Sequence, residues 1–309
     1  MPGIEAQHPE HFSPTSACPS PWKALQRGAS PLSVPNPHPA PTLTATVLGG
    51  VGHASMVSFN AVMGSRDGEG SPLVMKWTAA NERDIRRKGW TLLPGRVSPA
   101  LVARARALIA EDFARDPPKD DEDWKRCAAG TFCRRLVEEG ALNFLATETG
   151  ALGFAAQAID HLHDGLGAQL ARRRRGDAGV PHIDGFYPED DEPANTPDAI
   201  IGIYLTDVTR REQGAFAVWP AARERIARWA RRQKKLPKRS AGMPSLGRLG
   251  RGAPLLGRRG TAFLAHGALP HCNLGREAKG YRDVVFFRLY RRKPHRDVLA
   301  LLKSGGRSW

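Results

Sequence analysis

The feature that most constrains the fold is a change of period near Gly179. After it, apolar residues come in short dense runs: Ala199 to Leu205, Gly214 to Trp219, Thr261 to Ala265 and Asp283 to Leu289. Each has strand length, is rich in β-branched or aromatic residues, and is bounded by Gly, Pro or polar turns. Before Gly179 the apolar spacing is helical. Ser98 predicts an N-cap with Pro99 at the first helical position, and Leu101, Val102, Ala105, Leu108, Ile109 and Phe113 form one face. Asp116-Pro117-Pro118 stops that helix. Further helices are predicted at roughly Cys133 to Leu145 and Leu152 to Leu170, and Arg172 to Arg175 reads as a solvated helix end. Helices first and strands later predict a mainly β fold with flanking α, a jelly-roll core with N-terminal helices packed outside. A basic helix from Ala221 to Lys235 and a terminal helix within Pro294 to Ser304 complete the pattern.

The first 75 residues differ from the rest. Pro, Ser, His and Gly recur there with few apolar groups, which predicts a disordered extension followed by one domain over residues 76–309. The start lacks the apolar core of a signal peptide, and no run of eighteen apolar residues predicts a membrane span. Four cysteines, Cys18, Cys127, Cys133 and Cys272, without CxxC spacing fit a reducing, cytoplasmic setting. The net charge is +15, and much of it falls in a Gly- and Arg-rich insert over 221–260. Such a charge suits phosphate-bearing or otherwise anionic partners.

His182-Ile183-Asp184 carries the chemistry. On an extended chain, residues two apart point to the same side, so an imidazole and a carboxylate can reach one metal ion. With one further His they form the ligand set of non-haem Fe(II) oxygenases, which leaves coordination positions open. Two downstream residues could complete it, His266 and His271. His271 lies eleven residues before Arg282 and His266 sixteen before it, and the shorter spacing suits adjacent antiparallel strands better. A guanidinium placed there meets the requirement for holding the distal carboxylate of 2-oxoglutarate. Arg288, six residues on and on the same strand face, is a possible substitute. His161-Leu162-His163-Asp164 competes as a cluster, but in a helical pattern residues two apart do not face each other.

In their order along the chain these motifs resemble the phytanoyl-CoA dioxygenase family of Fe(II)/2-oxoglutarate oxygenases. The resemblance runs from about Arg83 to Tyr290. It rests on Arg87 to Gly95 with the helix after Ser98, on His182-Ile183-Asp184, on Ile203 to Thr209 with Gly214 to Pro220, and on His271-Cys272-Asn273 with Arg282. It implies a double-stranded β-helix (cupin-like) core, with Fe(II) on His182, Asp184 and His271. It implies 2-oxoglutarate on Arg282 with Asn273 nearby, and O2 as the oxidant. It also implies hydroxylation of a small or carrier-linked substrate, with succinate and CO2 released. Related halogenases replace the carboxylate ligand with a small residue, so Asp184 argues for hydroxylation.

Two departures bear on the substrate. Pro220-Ala221-Ala222-Arg223 stands where the family has Pro-Gly-Ser-His, a turn expected to shape the substrate mouth. Gly202 or Tyr204 stands where the family often has Trp. Two other functions fit parts of the chain. A nucleic-acid dealkylating dioxygenase would share Arg282 and Arg288, but Val284 and Phe286 replace the Asn and Thr of that motif, and no aromatic residues interleave with the basic ones. A non-catalytic jelly-roll binding protein would have no need of the intact ligand set. The acidic run Glu189 to Glu192 beside the site could line an entrance or pair with the basic insert.

Overall fold

The computed structural model describes residues 75–133, 136, 139–163, 166–186, 192–239, 248–294, 296–307 and 309. The expected N-terminal extension, most of the acidic run and the middle of the basic insert lie outside them. No helix among the described residues is long and apolar enough to cross a membrane.

Helix α1 (Ala79–Lys88) opens on a reciprocal cap: the Thr78 hydroxyl accepts from Asn81 N, and the Asn81 side chain accepts from Thr78 N. It ends at Gly89, whose φ of 79° suits a residue without Cβ. The chain continues through β1 (Trp90–Leu92) into α2 (Pro99–Arg115), where Ser98 Oγ caps Leu101 N at 3.3 Å. Val102, Ala105 and Ile109 bury the inner face of α2. After α3 (Asp121–Ala129) come two short helices, α4 (Phe144–Thr147) and α5 (Ala151–Ala156). The helix expected over 133–145 is interrupted by a turn before Phe144.

The helix expected over 152–170 is not continuous either. It ends with α5, turns through His161 at a φ of 57°, and returns as strand β2 (Ala168–Arg173). Glycines at 165 and 167 weaken a helix there, and six register pairs with the last strand supply a ladder instead. The Arg172–Arg175 run is therefore not a helix end. Arg172 pairs bidentately with Asp283 at 2.8 Å, and Arg173 is buried.

The remaining strands are β3 (Ala199–Tyr204), β4 (Phe216–Val218), β5 (Ala253–Leu255), β6 (Ala262–His266), β7 (His271–Asn273) and β8 (Arg282–Leu289). They form a five-stranded sheet of order β1-β6-β3-β8-β2 and a three-stranded sheet of order β5-β4-β7, antiparallel throughout. Alternate residues of each strand sort into two cores. Ile200, Tyr204, Phe216, Val218, Phe263, Val284 and Phe286 fill the space between the sheets. Ile201, Ile203, Leu264, Val285 and Phe287 face outward onto Val102, Ala105, Ile109 and Phe154 of α2 and α5. Gly202 is small for a reason: a Cβ there would lie 2.1 Å from Cζ of Phe263, whose ring crosses the strand.

After β4 a 3-10 turn (Pro220–Ala222) leads into α6 (Arg223–Arg231), and the chain closes with α7 (Val298–Ser304). The Arg223 guanidinium is taken up by backbone carbonyls. Its Nη1 donates to Arg86 O at 3.0 Å and its Nη2 to Arg87 O at 2.8 Å, capping the exposed carbonyls of α1, and Nη1 also reaches Gly306 O at 3.3 Å. One fork thus joins α1, α6 and the C-terminal segment. Arg223→Met should lower unfolding stability by roughly 1–3 kcal/mol, and Arg223→Lys should recover little, because an ammonium cannot reproduce the planar fork. Urea denaturation checks this; an unchanged midpoint in Arg223→Met would contradict the role. Downstream, Arg239 N donates to Glu192 O at 2.8 Å and Ala194 N to Pro237 O at 2.9 Å, so the basic segment is zipped to the end of the acidic one by backbone pairing.

Candidate metal centre

The chain between β2 and β3 runs beside β7. His182 and His271 form an isolated antiparallel bridge, each N–H donating to the other's carbonyl at 2.9 Å. Ile183 turns away and packs with Ile226, Ala230 and Leu302 of α6 and α7. His182 and Asp184, two apart, therefore face His271 together. Gly185, at a φ of 96°, then bends the chain away.

One ligand atom from each of His182, Asp184 and His271 lies within 4.8 Å of the others. His182 Nε2 is 3.4 Å from Asp184 Oδ1, and His271 Nε2 is 3.8 Å from Oδ2. Both imidazoles are oriented from behind. Nδ1 of His182 lies 2.8 Å from Val180 O and Nδ1 of His271 lies 2.9 Å from Leu269 O. A carbonyl only accepts, so each Nδ1 carries a hydrogen and each Nε2 is the nitrogen left facing Asp184, with a free lone pair when the imidazole is neutral. The Phe216 ring stacks on His271 at 5.2 Å, and Phe286 lies against Phe216.

Charges are strongly biased. Burial alone would raise the Asp184 pKa, but Arg288, His182 and His271 hold it well below the usual carboxylate range. Arg288 Nε donates to Asp184 Oδ2 at 2.7 Å, while Arg288 Nη1 bonds Gln169 Oε1 of β2. Oδ1 is left facing His182. For His182, burial works to lower the pKa, but the Asp184 carboxylate outweighs it and the net direction is up. Burial pushes His271 down to about 4, against the pull of Asp184. His271 is therefore neutral at physiological pH.

This has a consequence for the metal-free protein. The ordinary His pKa near 6.5 lies above the folded value of His271, so the unfolded chain takes up the proton first as pH falls. Stability contributed by neutral His271 is complete above about 6.5 and is lost toward 4. His182 shifts the other way, and its contribution changes only above 6.5. Between pH 6.5 and 5 the wild type should lose on the order of 1 kcal/mol relative to His271→Gln. Parallel urea curves for the two proteins across that range would contradict this.

Arg282 lies at the opposite end of β8 from Arg288, on the same strand face. It is fully buried, and its Nε, Nη1 and Nη2 have no hydrogen-bond partner among the described residues. Burial and then the neighbouring Arg173 push its guanidinium down to about 9. Asn273 follows His271 on the same face of β7, and its buried Oδ1 also lacks a partner there. His266 stands apart: fully buried, it stacks on Trp309 at 5.3 Å, and its Nδ1 accepts from Ala268 N. The His161–His163 segment forms a turn rather than a helix end and pairs with the chain near Tyr290. Sequence spacing placed Arg288 on the correct strand face but did not reveal that it holds Asp184. It missed Arg173 altogether, although the alternation Gln169, Ala171, Arg173 was there to read.

The donor set and the bare guanidinium each fit a definite group. Two imidazole nitrogens and one carboxylate oxygen suit a divalent iron with open positions. A buried cation without a counterion suits a carboxylate.

No family model matches the chain, and no curated protein matches it. Solved structures of similar shape include HygX from Streptomyces hygroscopicus with nickel and 2-oxoglutarate bound, at 15% identity and a TM-score of 0.45, covering 70% of this chain and 88% of that one. They also include the carbocyclase SnoK from nogalamycin biosynthesis, described as non-heme and alpha-ketoglutarate-dependent, at 18% identity and a TM-score of 0.46, covering 72% and 90%. A prolyl 4-hydroxylase from Phytophthora capsici matches at 13% identity and a TM-score of 0.45, covering 75% and 73%.

Proposed function

We propose that this chain is an Fe(II)- and 2-oxoglutarate-dependent dioxygenase that hydroxylates a small or carrier-linked molecule. The observation that carries the reading is a pairing of two incomplete sites. Three preoriented donors lie on one side of the intersheet space, and a buried guanidinium with no hydrogen-bond partner among the described residues lies at the start of β8. A 2-oxo acid with a distal carboxylate serves both, its oxo-acid end at the metal and its far end on Arg282.

In this reading His182, Asp184 and His271 hold the iron, and Arg288 fixes the Asp184 carboxylate so that one oxygen faces the metal. Arg282 binds the distal carboxylate, with Asn273 beside it. Phe216 and Phe286 wall the space between and exclude water. When bound, the iron would couple oxidation of 2-oxoglutarate by O2, giving succinate and CO2, to insertion of the second oxygen atom into a substrate C–H bond. Retention of Asp184 favours hydroxylation over halogenation. The motif order favours the phytanoyl-CoA dioxygenase family among such oxygenases, and the basic residues around α6 suit a substrate with an anionic part. Buried, unbridged Cys127, Cys133 and Cys272 accord with a cytoplasmic setting.

Incubating the protein with Fe(II), ascorbate, O2 and 2-oxoglutarate should release succinate, slowly without substrate and faster when a screened compound is accepted. Absence of succinate with every compound, in folded iron-loaded protein, would count against the reading.

A further inference from the structure

Arg282 has a second underbonded guanidinium beside it among the described residues. On β2, Arg173 stands directly opposite it in the ladder with β8. Residues opposite each other in an antiparallel pair point to the same face with Cβ atoms about 5 Å apart. Arg173 is 7% exposed and Arg282 fully buried. Nε and Nη1 of Arg173 join all three nitrogens of Arg282 in having no hydrogen-bond partner among the described residues.

The nearby acids are committed elsewhere. Asp283 points to the other face and is taken bidentately by Arg172. Asp177 accepts from the backbone N–H of Arg174 at 2.9 Å. A third cation, Arg276, spends its fork on the carbonyls of Gln213, Lys279 and Gly280. Among the described residues neither guanidinium has an ion-pair partner, and Asp177 and Asp283 attract them only at longer range, so two like charges stand side by side.

Both guanidinium groups reach the same end of β7. An added Cβ on Gly179 would lie 3.3 Å from Arg173 Nη2 and 2.9 Å from Asn273 O. One on Gly214 would lie 3.5 Å from Arg282 Nε and 3.6 Å from Leu274 O. Glycine at both places leaves the two forks room to converge. A carboxylate has about four lone-pair positions, enough for a bidentate bond to one fork and a further bond to the other.

We infer that Arg173 is the second half of a two-arginine clamp that grips the distal carboxylate of the 2-oxo dicarboxylate cosubstrate together with Arg282. This rests on the oxygenase reading above. The clamp makes the site selective for a 2-oxo acid with a second carboxylate. Its cost in the unliganded protein is a pair of unneutralised buried charges.

The test measures binding of 2-oxoglutarate and of 2-oxobutyrate, which lacks the distal carboxylate, to Ni(II)-loaded protein by calorimetry. Arg173→Gln should weaken 2-oxoglutarate about 10- to 100-fold, the loss of one charge-assisted hydrogen bond, and leave 2-oxobutyrate unchanged. Arg173→Lys should recover part of the loss. Melting of unliganded Arg173→Gln should be unchanged or higher, which separates a lost ligand contact from a damaged fold. Unchanged 2-oxoglutarate affinity in Arg173→Gln would overturn the clamp, as would equal weakening of both acids. Wild-type protein that binds Ni(II) but neither acid would overturn the oxygenase reading and the clamp with it.

Discussion

Asp184→Ala should abolish divalent-metal binding and lower the melting temperature of the metal-free protein by roughly 10 °C. Asp184 and Arg288 form a buried ion pair at 2.7 Å, with side chains 6% and 16% exposed. Removing one partner leaves the other charge buried and uncompensated, which costs about 3–5 kcal/mol. In a domain of this size each kcal/mol shifts the melting temperature by about 2–4 °C. The double replacement Asp184→Ala with Arg288→Met removes both charges and should recover most of that stability, yet it should bind no metal. Arg288→Met alone should keep a weakened site, about 10- to 100-fold poorer in metal affinity, because the carboxylate loses the group that orients it. Calorimetric melting and Ni(II) titration of the three variants decide this. Equal melting of Asp184→Ala and wild type would show that the pair does not stabilise the fold.

The second large effect runs in opposite directions for stability and binding. Arg282→Met should raise the melting temperature of the unliganded protein and strongly weaken 2-oxoglutarate binding. The guanidinium is held in the core with three nitrogens unpartnered among the described residues, and the effective penalty for burying an ion is several kcal/mol. A thioether side chain of similar length relieves it and packs against Val284 and Tyr204. In the ligand-bound state the same guanidinium would make a bidentate pair. Each hydrogen bond to a charged group contributes about 1.5–3 kcal/mol, so its loss should weaken 2-oxoglutarate by at least about 100-fold. Metal affinity should persist, since no ligand atom is changed. A variant that is both less stable and unaltered in 2-oxoglutarate affinity would make Arg282 a structural residue.

The strands carrying the site were legible because their runs are long and apolar: β3 and β4 lie within the segments that hydrophobic pattern marks, and β6 and β8 overrun theirs by one residue each. His182, Asp184, His271 and Arg282 were legible by residue type and spacing. What escaped notice was set by tertiary contact. Strand β2 carries three polar residues among its six, AQLARR, and follows apolar positions at helical spacing, so its pattern resembles a helix end. Only the ladder with β8 makes it a strand, and only then does Arg173 become an inward residue. Strands β5 and β7 have three residues each, too few to show a period. Arg288 was visible as a same-face neighbour of Arg282, but its bond to Asp184 joins residues 104 apart. Arg223 stood out as a departure at a turn expected near substrate, whereas its fork closes the end of a distant helix. For the alternative on alkylated nucleic acid, Val284 and Phe286 lie in the intersheet core and offer no polar group there.

The most direct test of the central claim is an anaerobic titration of the protein with Fe(II) and then 2-oxoglutarate, followed in the visible spectrum. If His182, Asp184 and His271 hold iron with positions left open, and Arg282 holds the far carboxylate, a weak charge-transfer band should grow to saturation at one equivalent of each. The band should be missing in Asp184→Ala and should require far more 2-oxoglutarate in Arg282→Met. Folded wild-type protein that shows no band at any concentration would contradict the account.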